Sequence, residues 1–156
     1  PIFSKDTDSL PIFNYSKRAP FSMGDYAEDI IRNIPGAEVM KNRGGTNLIY
    51  GMQYEDNIEV WNIFFKKGIL DMIGIQRPKS AIFSRKEVVI RASALIPFTL
   101  NLEKAEWEIN KDGSSESLID EKINVRIVRL LQGNGGMIIA MKDTKNVKPT
   151  NEMPGN

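Results

Sequence analysis

One sustained helical pattern lies early in the chain, where Met23, Tyr26, Ala27, Ile30 and Ile34 recur at helical spacing. Ser22 with Asp25 three residues on makes a capping-box pair, Phe21 can staple onto Tyr26, and Pro35-Gly36 supplies the stop. The pattern predicts an amphipathic helix over 23–34. Before it, residues 1–20 carry three prolines and no sustained period, so they read as an extended arm.

After the helix the period drops to two. Ala37–Lys41 and Asn47–Tyr54 flank a glycine-bearing turn, and Leu48, Tyr50, Met52 and Tyr54 share one face. In Ile58–Lys67, Glu59, Trp61, Ile63 and Phe65 alternate with Ile58, Val60, Asn62 and Phe64. Both faces are largely apolar, which predicts a central strand. Ile69–Ile75, Ala81–Ala92 with a kink at Ser84–Lys86, and Leu95–Leu102 follow, the last weakened by Pro97. Lys104–Asn110 alternates with Ala105, Trp107 and Ile109 inward and Lys104, Glu106 and Glu108 outward. Residues 114–131 fit either a helix or a strand, and their β-branched density favours a strand from Ile123. Gly133-Asn134-Gly135-Gly136 then turns the chain into Met137–Lys142.

Together these elements predict a mainly β, α+β domain over 21–142. The expected form is a sandwich or partly open barrel of about nine short strands with one N-terminal amphipathic helix. A polar tail, 143–156, follows. At 156 residues, with 41% hydrophobic and 26% charged side chains, one such domain can bury a core without braces.

Composition narrows the chemistry. The chain has no histidine and no cysteine. Zinc, iron–sulfur and haem–His sites, Ser–His–Asp and Cys–His nucleophiles, and disulfides all need a residue that is missing. Catalysis would rest on carboxylates, Lys, Tyr or the amino terminus, and no cofactor is expected. The longest uncharged apolar stretch, Ala92–Leu102, has 11 residues against the roughly 20 of a membrane span. The expected location is cytoplasmic, or a virion assembled in the cytoplasm.

Charge is balanced overall, 21 basic against 20 acidic residues, yet uneven along the chain. Lys66–Arg91 carries seven bases against two acids, and Glu103–Glu121 carries seven acids against two bases. The first block makes Lys66, Lys67, Arg77, Lys79, Arg85 and Lys86 candidates for binding an anion or a partner. Tyr50, Tyr54, Trp61, Phe64 and Phe65 beside Lys66 and Lys67 would suit base stacking, but their alternation also suits a buried strand.

Other candidates are less specific. The glycines of 133–136 offer backbone N–H groups to a phosphate, but a strand rather than a helix follows them. Pro1 as a catalytic amine would need a buried first strand, which Ser4-Lys5-Asp6-Thr7-Asp8 does not make. Glu106 and Glu108, with Asp112 or Asp120, form the carboxylate set of a metal-dependent hydrolase. The stretch from Lys79 to Ile90, followed by Ile96-Pro97-Phe98 and Leu102-Glu103-Lys104, resembles bacterial pleckstrin-homology-like domains over about a fifth of the chain.

Two flanking segments without a core-forming pattern, around one β domain, point to extended segments that order on neighbours. The expected function is a non-enzymatic structural subunit of a large assembly such as a virion, phage tail or secretion machine. It would contact copies of itself or other subunits through terminal arms and strand edges. A small β-sheet module that binds nucleic acid or phosphorylated lipid through the basic block is the alternative, and the metal-dependent hydrolase is third.

Overall fold

The computed structural model describes residues 12–15, 21–33, 38–42, 45–55, 57–77, 82–97, 99–100, 102, 105–133 and 135–141. In chain order these form β1 (Ile12–Tyr15), α1 (Ala27–Asn33), β2 (Glu38–Asn42), β3 (Gly45–Tyr54), β4 (Asn57–Lys66) and β5 (Ile69–Gln76). There follow α2 (Arg85–Leu95), β6 (Glu108–Ile109), β7 (Ser115–Asp120), β8 (Val125–Leu130) and β9 (Met137–Met141).

The described strands make one open sheet, with two helices. Seven of them run antiparallel in the order β3-β4-β5-β9-β8-β7-β6. The outer edge of β3 is shared end to end. β2 pairs with its first half and β1 lies parallel to its second, with Ile12 opposite Gly51 and Tyr15 opposite Tyr54.

Register aligns the apolar positions into rows across one face. Tyr50, Trp61, Ile75 and Met137 lie opposite one another in succession, and Leu48, Ile63, Ile73, Ile139, Ile127 and Leu118 form the next row. Ile30 of α1, Val88, Ala92 and Leu95 of α2, and Phe21, Met23 and Phe83 close over this face to complete the core. Two-residue turns hold the strands in this register. Lys67 (φ 53°) and Gly68 (φ 77°) both adopt positive φ between β4 and β5, the turn geometry that matches strand twist.

The mainly β character expected from sequence is present, but its layering differs. Where a sandwich or partly open barrel is expected, there is a single sheet that is not closed into a barrel, and helices rather than a second sheet cover its apolar face. Ala81–Ala92 is expected as a kinked strand, but from Arg85 on its residues form α2. Ser84 caps it, accepting from Glu87 N–H at 3.1 Å while the Glu87 carboxylate accepts from Ser84 N–H at 3.1 Å. The early helix is shorter than expected. Asp25 does accept from Ser22 N–H at 2.8 Å, but Tyr26 bridges to Ile69 before the helix starts at Ala27.

Residues 115–120 and 125–130 are both strands, which resolves the ambiguous stretch in favour of β structure from earlier than Ile123. Of the strand expected at 104–110, the described residues 105–110 show two, Glu108–Ile109, and Ile109, expected inward, is 67% exposed. The predicted arm contributes β1 to the sheet. The polar tail lies outside the described residues.

Candidate functional site

The basic block of the sequence does not form one patch. Lys66 and Lys67 sit exposed at the β4–β5 turn, whereas Arg77 follows β5 at its other end, about 25 Å away along eight strand residues at ~3.3 Å each. Arg85 and Lys86 open α2. Lys79 lies outside the described residues.

The arginines meet carboxylates, Arg77 and Arg91 inside the protein and Arg85 from a largely exposed position. Arg91, only 4% exposed, grips Glu59 with two bonds, Nη2 to Oε1 at 2.6 Å and Nη1 to Oε2 at 3.0 Å. Trp61 Nε1 donates to Glu59 Oε1 at 3.1 Å, and Arg77 Nε lies 3.9 Å from Oε2. Arg77 also pairs with Glu87 and stacks 3.9 Å above the Phe83 ring, while Arg91 lies 3.7 Å above the Tyr54 ring. On the next turn of the sheet, buried Glu116 accepts from Arg85 at 2.7 and 2.8 Å and from Arg129 at 2.9 Å. Arg129 continues to the Phe83 carbonyl.

These contacts bind α2, Arg77 and Phe83 to strands β4, β7 and β8. Sequence reading missed the acidic half of this network, because Glu59 alternates with apolar residues like an ordinary strand position and Glu116 stands among serines in an acidic stretch. The signal was available: Glu59 falls on the same face as Trp61 and Ile63, so a buried carboxylate there demands a cation.

Hydrogen bonds from Arg85 hold the Glu116 carboxyl below its usual value against the opposing effect of burial, and the Arg85 and Arg129 charges add to them. Arg77 does the same for Glu87, also against burial, with the Ser84 cap assisting. Both carboxyls therefore bind fewer protons folded than unfolded through the acid range. Their stabilisation is complete above the unfolded value of about 4.3 and is lost as pH falls through the lower folded values. Glu116→Gln is expected to flatten the loss of stability in acid, measured as urea midpoints against pH.

The aromatic residues are spent on packing. Tyr50 and Trp61 are fully buried and Phe65 nearly so, and burial pushes the Tyr50 hydroxyl well above its ordinary pKa. The glycines around 133–136 form the β8–β9 turn, with Leu130 N–H donating to the Gly136 carbonyl at 3.0 Å. Gly136 passes so close to β5 that a Cβ there would stand 2.8 Å from the Ile75 carbonyl oxygen.

A second feature is the β7 edge. Asn110 N–H donates to the Ser115 carbonyl at 2.9 Å, which makes 110/115 and 108/117 the bonded pairs and 106/119 the next in line. The ladder stops at Glu108–Ser117. Trp107 turns toward the core and under Arg85, 5.5 Å from its ring, and the chain before it leaves the sheet. Ile119 is left with an outward N–H and C=O that have no backbone partner among the described residues.

Beside this edge is a hollow of about 400 Å³ lined by Ala105, Glu106, Glu108, Ser117, Ile119, Asp120, Glu121 and Lys122. Among the described residues Glu106, Glu108 and Glu121 are exposed there beside Lys122, whereas Asp120 is buried and accepts from Lys122 N–H at 3.0 Å. Glu106, Glu108 and Asp120 therefore do come near one another, while Asp112 is held in its own turn by Ser114 N–H at 2.9 Å and Ser114 Oγ at 2.6 Å. Among the described residues no group of three carboxylates is arranged to hold a metal ion. Among them, too, no helix is long and apolar enough to cross a membrane.

Comparison with protein families, with curated sequences and with solved structures found no match to this chain.

Proposed function

We propose that the chain is a non-enzymatic assembly subunit that contacts copies of itself through an open strand edge. The observation that carries this reading is the early end of the β6–β7 ladder. A strand edge with unpaired N–H and C=O groups is a template for another chain. Here the interruption coincides with a hollow large enough to admit extended backbone.

The alternative, anion binding through the basic block, has less support. Arg77 and Arg85 each already pair with a glutamate, and Lys66 and Lys67 lie at the far end of β5.

Ile119→Pro tests the reading, because it removes the outward donor without touching the inward ladder to β8. The wild-type chain is expected to self-associate in sedimentation velocity, and the variant to sediment as a monomer with an unchanged far-UV circular dichroism spectrum. A wild-type monomer that binds single-stranded DNA, with affinity falling as salt rises, would instead favour the basic-block reading.

A further inference from the structure

The same edge carries a charge that selects its occupant. Among the described residues, exposed Glu106, Glu108 and Glu121 line the hollow with Lys122, and the buried Asp120 is part of its wall. A strand added beside Ile119 would lie among carboxylates, so the fitting segment is extended, free of proline and basic. The chain contains such a segment. Residues 142–148, Lys-Asp-Thr-Lys-Asn-Val-Lys, hold three lysines against one aspartate and end at Pro149, which cannot join a ladder.

The segment's own starting point decides between its own edge and that of a neighbour. Met141 ends β9 opposite Val125, and Val125 lies opposite Asp120, so the tail departs at the end of the sheet where the hollow lies. To reach the outer side of β7 within one molecule, the tail must cross three strand spacings, roughly 14 Å. That crossing takes about four residues of extended chain. Lys142 and Lys145 would be used up in it, leaving only 146–148 before the proline. A second copy can bring its own Met141 up to this edge, so that no such crossing is imposed on its segment.

We infer that residues 142–148 of one copy add as a basic strand to the acidic β7 edge of another. This inference rests on the strand-edge reading above and names its partner. Donor tail and acceptor edge are different surfaces, so the contact either is exchanged reciprocally in a dimer or propagates into rings or filaments.

A charge swap in the full chain tests it. Glu106→Lys with Glu108→Lys makes the edge basic, and Lys142→Glu, Lys145→Glu and Lys148→Glu together make the tail acidic. Each set alone is expected to weaken self-association at low salt by about tenfold or more, equivalent to 1.4 kcal/mol. Mixing the two proteins should restore it, since each tail then meets an edge of opposite charge. That recovery also shows that both variants are folded. Self-association unchanged by either set, or weakened without recovery on mixing, overturns the tail assignment while leaving the edge reading to the Ile119→Pro result. A wild-type chain that stays monomeric overturns both.

Discussion

Arg91→Ala is expected to lower the unfolding free energy by about 3–5 kcal/mol, the range for removing one partner of a buried ion pair. Glu59 is 1% exposed, and truncating Arg91 takes away both of its bidentate bonds at once. What remains is the Trp61 indole N–H and the more distant Arg77, which cannot replace them. The Tyr54 ring loses its stacked guanidinium in the same step. Because Arg77 stays within 4 Å, the loss should fall toward the lower end of the range. Equilibrium unfolding in urea measures it, with an unchanged slope confirming that the unfolded state is not what moved. The double variant Glu59→Met, Arg91→Met replaces both charges by apolar side chains of similar length. It is expected to cost less than Arg91→Ala alone, since no charge is left buried without its partner. A loss below about 1 kcal/mol for Arg91→Ala would place the pair in the weak, solvated class.

The sheet was legible where one force set the pattern. Strands β3, β4, β5 and β9 follow from period-two alternation between glycine-bearing or polar turns, and the apolar character of both faces of β4 correctly placed it between neighbours. Helix α2 was hidden by two competing signals. Val88-Val89-Ile90 reads as a strand by β propensity, while Ser84-Arg85-Lys86-Glu87 carries the capping-box signature of a helix start. Tertiary context decided. As a helix, the segment places Arg85, Glu87 and Arg91 toward Glu116, Arg77 and Glu59, and these three ionic contacts have no counterpart in an extended chain. The helix also leaves Ile90 exposed and buries Arg91, so its periodicity carried no amphipathic signal to read.

The basic block misled for a related reason. Linear charge counts record Arg77, Arg85 and Arg91 as neighbours, but their carboxylate partners come from Glu59, Glu87 and Glu116, two of them on strands far along the chain. Net charge over a window says nothing about pairing across a sheet. The acidic block shows the complement. Glu106 and Glu108 were legible as outward-facing, and Asp120 and Glu121 join them because the β7–β8 turn brings the end of β7 beside the departing 105–107 segment. What no periodicity reveals is that the ladder ends at Glu108, since that follows from the rotation of Trp107 toward Arg85.

Trp61→Ala is expected to destabilise the fold by about 3–5 kcal/mol, the cost of truncating a large aromatic side chain in a packed core. Trp61 is completely buried, stands edge-on to Phe21 with centroids 6.1 Å apart, and lies 6.3 Å from Tyr50 in the next strand. Its indole N–H also steadies Glu59, so truncation opens a cavity and loosens the Arg91 clamp together. The two losses share a residue and will not add: Trp61→Ala combined with Arg91→Ala should cost less than the sum of the single variants. Trp107 provides the contrast. Alternation with Glu106 and Glu108 predicts a buried face for it, and it does pack against the core, but it is half-buried beside an interrupted strand. Trp107→Ala should therefore cost about 1 kcal/mol, in the middle of the range for ordinary substitutions. Thermal and urea unfolding of the three variants would check the order. Equal losses for the two tryptophans would show that residues 105–107 are held as firmly as β4, and that the β7 edge beside them is closed.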